Sequence, residues 1–125
     1  MTDSRSGFGK KAEDWAIKAL RRDGMKILDR NVSCPLGELD VVGLDGEVIC
    51  FVEVKGRSSP RTGTGGEAVT LGKRRRIARL AQWYRKSRRA AQGAMRFDVV
   101  EVWKGKDGTL TGRIIKGAFA ADGRI

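Results

Sequence analysis

The chain has 125 residues, 26 of them Lys or Arg and 15 Asp or Glu, a formal charge of +11; the 40% that are hydrophobic suffice for the core of one compact domain. With no histidine and two cysteines, it cannot carry a Ser-His-Asp or Cys-His centre, an imidazole base, a histidine-ligated zinc or, within one copy, an all-cysteine zinc site. Its chemistry has to rest on carboxylates, lysines, hydroxyls or a hard metal ion.

Residues 1–7 read as a flexible leader and 8–125 as a single domain. The polar start lacks the apolar centre of a secretory signal, and no stretch approaches the ~20 apolar residues of a membrane span, so a cytoplasmic location is the expectation. From about Phe8 to Asp23 the pattern is helical. Steps of ~100° place Ala12, Ala16, Ala19 and Leu20 on one apolar stripe, and Gly24 supplies the stop. Residues 25–33 alternate as a short strand does. Leu39–Val42 and Val48–Val52 then flank a hairpin turning on Asp45-Gly46. Both arms are apolar on both faces, the pattern of strands covered by helices on each side.

Residues 56–66 (GRSSPRTGTGG) form a loop by composition. Thr70 caps a long helix reaching about Ala90, whose core stripe is Ile77, Leu80, Ala81 and Tyr84. Met95–Trp103 is a strand, Lys106-Asp107-Gly108 a turn and Leu110–Phe119 the last strand. The order predicts an α/β domain with a mixed central sheet flanked by helices on both faces. Cys34 and Cys50 form no CxxC and sit among apolar neighbours, which marks them as small, reduced, buried residues.

Centring the hairpin on Asp45-Gly46 pairs Val42 with Ile49, Asp40 with Phe51 and Glu38 with Glu53. One face then carries Glu38, Asp40, Val42, Ile49, Phe51, Glu53 and Lys55, and the other Leu39, Val41, Val48, Cys50, Val52 and Val54. Asp40 lies diagonal to Glu53, within side-chain reach. Two chemistries fit this face. One is an ion-pair set, Asp40–Lys55–Glu53, at the sheet edge. The other is a Mg²⁺ or Mn²⁺ site on Asp40 and Glu53, with Lys55 beside a reacting phosphate. Glu13 borders the apolar side of the first helix, facing either solvent or that acidic edge, whereas Asp14 points outward. On the second helix Arg75, Arg79, Lys86 and Arg89 point away from the core stripe, while Lys73 projects toward the sheet. Arg57, Arg61 and Arg96 offer further phosphate contacts. The loop glycines make no P-loop, because GxxxxGK[ST] is absent.

Gly9-x-x-x-Glu13-x-x-Ala16, Asn31-Val32, Gly37-Glu38-Leu39-Asp40, Phe51-Val52-Glu53-Val54-Lys55, Glu67-Ala68-Val69 through Lys73, and Arg96-Phe97-Asp98-Val99 together resemble the YraN family. This is a bacterial group similar to archaeal Holliday junction resolvases and placed in the PD-(D/E)xK nuclease superfamily. The resemblance runs from about Gly9 to Trp103, with Ala12 where the family often has glycine. It implies a restriction-endonuclease-like fold, with Asp40 as the motif aspartate, Glu53 and Lys55 as the (D/E)xK pair, Glu13 as the helical acidic partner and Lys73 as the basic position of the second helix.

The expectation is a Mg²⁺- or Mn²⁺-dependent, structure-selective DNA endonuclease, with Asp40, Glu53 and Glu13 as metal and catalytic residues and Lys55 as the catalytic lysine. Lys73, Arg75, Arg79, Lys86, Arg57 and Arg61 would bind nucleic acid. The charge of +11 calls for a polyanionic partner, most simply DNA, and by analogy with resolvases a homodimer is possible. The alternatives are a nucleic-acid-binding accessory protein without turnover and an RNA-associated basic protein with structural carboxylates.

Overall fold

The helix α1 (Gly7–Arg22) buries Ala12, Glu13, Ala16, Ile17 and Leu20 in a computed structural model that describes residues 7–58, 69–88 and 93–125. Ala19, expected on that stripe, is half-exposed, and Ile17 takes its place. At ~100° per residue Ile17 falls beside Glu13 and Leu20, whereas Ala19 lies past the stripe's edge. Gly24, at φ 97°, supplies the left-handed residue that ends the helix.

Four elements follow as β1 (Lys26–Cys34), β2 (Gly37–Asp45), β3 (Val48–Arg57) and α2 (Leu71–Ser87); β4 (Met95–Lys104) and β5 (Leu110–Phe119) complete the domain. The strands form one sheet in the order β1-β2-β3-β4-β5. β3 and β4 are parallel, because the chain returns through α2 before re-entering the sheet, and the other neighbours are antiparallel. This is the α/β arrangement with a mixed sheet that the sequence predicts, and it is compatible with a restriction-endonuclease-like fold. One boundary differs. Gly56 and Arg57, read as loop, continue β3, since their backbone still pairs with Val102 and Trp103 of β4. The leader 1–6, the segment 59–68 with Arg61, and residues 89–92 with Arg89 lie outside the described residues.

A helix covers each sheet face. Val41, Cys50, Val52, Val100 and Val102 pack with Ala12, Ala16 and Leu20 of α1, and Val42, Ile49, Phe51, Phe97 and Val99 pack with Ile77, Leu80, Ala81 and Tyr84 of α2. Leu39 belongs with the second set and not with Val41 as alternation predicts, because the β2–β3 ladder stops at Val41↔Val52 and β2 turns away beyond it. Arg74 is a buried cation without a sequence signal. Its Nε and Nη1 donate to the carbonyls of Gly123 and Val69, each at 2.8 Å, and so pin the C-terminal segment to α2. Both cysteines are free thiols, Cys50 buried and Cys34 half-buried. Among the described residues no helix is long and apolar enough to cross a membrane.

Candidate functional site

The site begins with the β2–β3 hairpin. Its two turn residues are Gly46 and Glu47, and Asp45 pairs with Val48. Gly46 at φ 63° provides the positive φ that a glycine-first turn requires. The expected register, turning on Asp45-Gly46, is therefore two residues out: Val42 faces Phe51 and not Ile49. Because side chains alternate with period two, a two-residue slip leaves each on its face but changes its partner. Continued one step past Val41↔Val52, the register sets Asp40 opposite Glu53.

There the strands part. The Val54 N–H, left without a ladder partner, donates to Asp40 Oδ2 at 2.9 Å, so the side chain replaces a backbone acceptor. Beside it Glu53 is 4% exposed, close enough for its charge to act on the Asp40 carboxyl. Burial, then the neighbouring Glu53 charge, push the Asp40 carboxyl up to about 7. The Val54 N–H and the Lys73 ammonium act in the opposite sense without cancelling this.

The cation paired with Glu53 is not the Lys55 of the expected ion-pair set. Lys73 comes down from the first turn of α2, as its helical phase predicts, and its Nζ pairs with Glu53 Oε2. Thr70 positions it, since the Thr70 hydroxyl accepts the Lys73 N–H at 3.3 Å. Lys55, two residues past Glu53 on the same strand face, enters no ion pair among the described residues. Burial and the nearby Lys73 charge lower its pKa.

These groups line a cleft of about 440 Å³, whose walls include Glu13, Asp40, Glu53, Lys55, Lys73 and Arg76. It opens where β2 leaves β3, so α1 and α2, on opposite faces of the sheet, both reach it. At its α1 edge the Phe8 ring lies on Gly56, where a Cβ would stand 2.5 Å from a ring carbon. Glu13 enters from α1, 2% exposed, and is held at 3.1 Å by Arg30 Nη2 of β1. Arg30 also binds Asp14 at 2.8 Å, so Asp14, although outward, is paired and its pKa is lowered, chiefly by that hydrogen bond. Neither Arg30 nor Arg76 was anticipated. Arg76 carried a signal, one turn from Lys73 on the same helix side; Arg30 carried none.

The remaining predicted residues divide. Arg75, Arg79 and Lys86 are exposed on the outer side of α2, outside the cleft lining. Arg57 turns to the buried Glu101, Nε to Oε2 at 3.5 Å, a carboxylate that Arg113 also holds at 2.7 Å. Arg96 does not serve the cleft. It binds Asp98 and Asp45 at the hairpin end of the sheet, because the parallel register pairs it with Cys50, not with the Lys55 end of β3.

Two carboxylates side by side in one cleft suit a hard cation, and Mg²⁺ is commonly held by one or two protein carboxylates while phosphate and water complete its shell. Among the described residues no three acidic or thiol side chains form a ready ligand group; Glu13 shares the cleft but is turned to Arg30. The acidic pair thus fits such an ion, and Glu13 is a further oxygen donor if Arg30 releases it.

Comparison with known proteins gives one consistent answer. The model of the uncharacterised protein family UPF0102 matches residues 12–102, which include Glu13, Asp40, Glu53, Lys55 and Lys73. The UPF0102 protein of Moorella thermoacetica is 46% identical over 120 residues, 95% of this chain and all of the relative. That of Symbiobacterium thermophilum is 47% identical over 113 residues, 90% and 96% of the two chains. That of Syntrophotalea carbinolica is 45% identical over 123 residues, 98% and 99%.

Proposed function

We propose a function from one premise: this chain belongs to the uncharacterised protein family UPF0102, the YraN family of the resemblance. It binds DNA and hydrolyses phosphodiester bonds at the Asp40–Glu53 cleft as a structure-selective, divalent-metal-dependent endonuclease. The observation that carries this reading is the carboxylate pair at the fork where β2 leaves β3, with two nearby amines of which, among the described residues, only Lys73 is ion-paired. A purely structural ion-pair set would satisfy its own charges. Here burial and mutual repulsion keep Asp40 partly protonated, an arrangement that a dication relieves.

Asp40 and Glu53 would hold Mg²⁺ or Mn²⁺, which when bound neutralises charge on the scissile phosphate and activates the hydrolytic water. Asp40 is oriented by the Val54 N–H, and Glu53 by Lys73. Lys55 stands on the same strand face as Glu53 and donates to the phosphoryl oxygens as their charge grows in the transition state. Lys73 and Arg76 attract the phosphate to the cleft, and Arg75, Arg79 and Lys86 extend that positive field along α2. Arg57, held by Glu101, adds a cation past Lys55, and Arg61 a further phosphate contact. Two copies would suit a twofold-symmetric junction.

The test is cleavage of branched, flapped, single-stranded and blunt duplex DNA in Mg²⁺, Mn²⁺ or EDTA. Metal-dependent cutting abolished by Asp40→Asn supports the reading. Tight binding with no cutting of any substrate overturns the enzyme and leaves an accessory nucleic-acid-binding protein. The pairing of Glu13 with Arg30, away from the other two acids, favours that second reading.

A further inference from the structure

Of the three tryptophans, Trp15 and Trp103 are half-buried and Trp83 is exposed, at 37% of its surface. A lone exposed indole needs no explanation by itself. Its position does. Seven residues separate Trp83 from Arg76, which returns the helix to within ~20° of the same direction at about 10 Å further along its axis. Arg76 lines the cleft with Lys73 and Leu80. Trp83 therefore continues the cleft-lining stripe of α2. On its far side the same periodicity sets Arg79 and Lys86, both exposed. A shallow recess lined by Gln82, Trp83, Arg85 and Lys86 marks the spot, and Trp83 enters no ring stacking or cation–π contact among the described residues.

We propose that Trp83 is a stacking platform for an unpaired nucleobase of the strand whose phosphate lies in the Asp40–Glu53 cleft. The inference rests on the nucleic-acid reading above and deepens it: the substrate class is nucleic acid with a single-stranded segment. The chemistry follows from the neighbours. A polyanion is drawn along Arg76, Arg79 and Lys86, and an exposed indole among those cations offers what a backbone contact cannot, a flat apolar face. A base in a blunt duplex is already stacked on both sides and cannot use it, whereas a splayed base can. An apolar partner protein would be repelled by no charge here, but it would leave the flanking cations without counter-charges.

The test compares wild type, Trp83→Ala and Trp83→Phe by anisotropy on labelled dT oligonucleotide, its RNA counterpart, a flapped duplex and a blunt duplex, in EDTA and at fixed salt. Urea melts check that each variant folds. Stacking one base on an aromatic ring corresponds to roughly a tenfold change in affinity. Trp83→Ala should lose about that factor on the single-stranded and flapped ligands while keeping blunt-duplex affinity within about twofold. Trp83→Phe should recover most of the loss, because its ring still stacks. Equal loss on all ligands, no loss on any, or no rescue by phenylalanine overturns the stacking role and leaves the nuclease reading intact. Failure of the wild type to bind any of the four overturns both. A dimer that dissociates on Trp83→Ala, with unchanged affinities, assigns the indole to a contact between copies and also overturns the proposal.

Discussion

In EDTA at pH 8, Asp40→Asn should make the protein more stable. In the fold the Asp40 carboxyl titrates near 7, raised first by burial and then by Glu53, whereas in the unfolded chain an aspartate titrates near 3.9. The native state therefore holds its proton more tightly, and stability falls as pH rises from about 4 through about 7, then levels off. At 1.36 kcal/mol per unit, full ionisation costs at most about 4 kcal/mol. Asp40 is only half-buried and part of its rise comes from the neighbouring Glu53 charge, which solvent screens, so about 1–2 kcal/mol is the expected change between pH 5 and pH 8. Asparagine keeps an acceptor for the Val54 N–H and carries no charge. The stability gap between Asp40→Asn and wild type, from urea titration, should thus grow by that amount between the two pH values. Millimolar Mg²⁺ at pH 8 should stabilise the wild type, by about 2.7 kcal/mol at a hundred times Kd, and not the variant. A gap that is constant with pH, or a variant less stable than wild type at pH 8, would refute the reasoning.

Lys55→Ala should keep DNA affinity within a few-fold while cleavage falls on the order of 10²–10³-fold, as read from single-turnover rates; equal losses in both would make Lys55 a binding residue only. The triple change Arg75→Ala, Arg79→Ala and Lys86→Ala should flatten the slope of log affinity against log salt by about 0.9 per lost phosphate contact on duplex DNA, and an unchanged slope removes this helix from the docking surface. Arg74→Ala should cost about 2–4 kcal/mol in urea unfolding, because two buried carbonyls lose their donors; a loss under about half a kcal/mol would count against that anchoring role. Gly56→Ala should lower stability by about 1–3 kcal/mol, since the new Cβ would run into the Phe8 ring, and thermal melting of Gly56→Ala in a Phe8→Ala background should show most of that cost relieved.

The fold class was legible because hydrophobic period is a local property. Ile77, Leu80, Ala81 and Tyr84 repeat as a helix face does, and Phe51, Val52 and Val54 are apolar on both sides of one strand, so a sheet covered twice follows without coordinates. The shared face of Asp40, Glu53 and Lys55 was legible too, through the turn: even a register two residues out preserves the face, because strands alternate with period two.

What the sequence determines by itself is thus the identity and spacing of chemical groups: no imidazole, a carboxylate pair two strands wide, a lysine on the same side, and a basic helix. What only the tertiary structure decides is which of those charges meet. Lys73 rather than Lys55 takes Glu53, Arg30 takes Glu13, Arg57 turns to Glu101, and Arg96 is held at the far end of the sheet. Each choice joins different elements of the fold, and charged side chains carry no periodic signal of their partners. Long flexible stems let one cation reach several carboxylates, and the burial each carboxylate meets in the packed sheet selects among them.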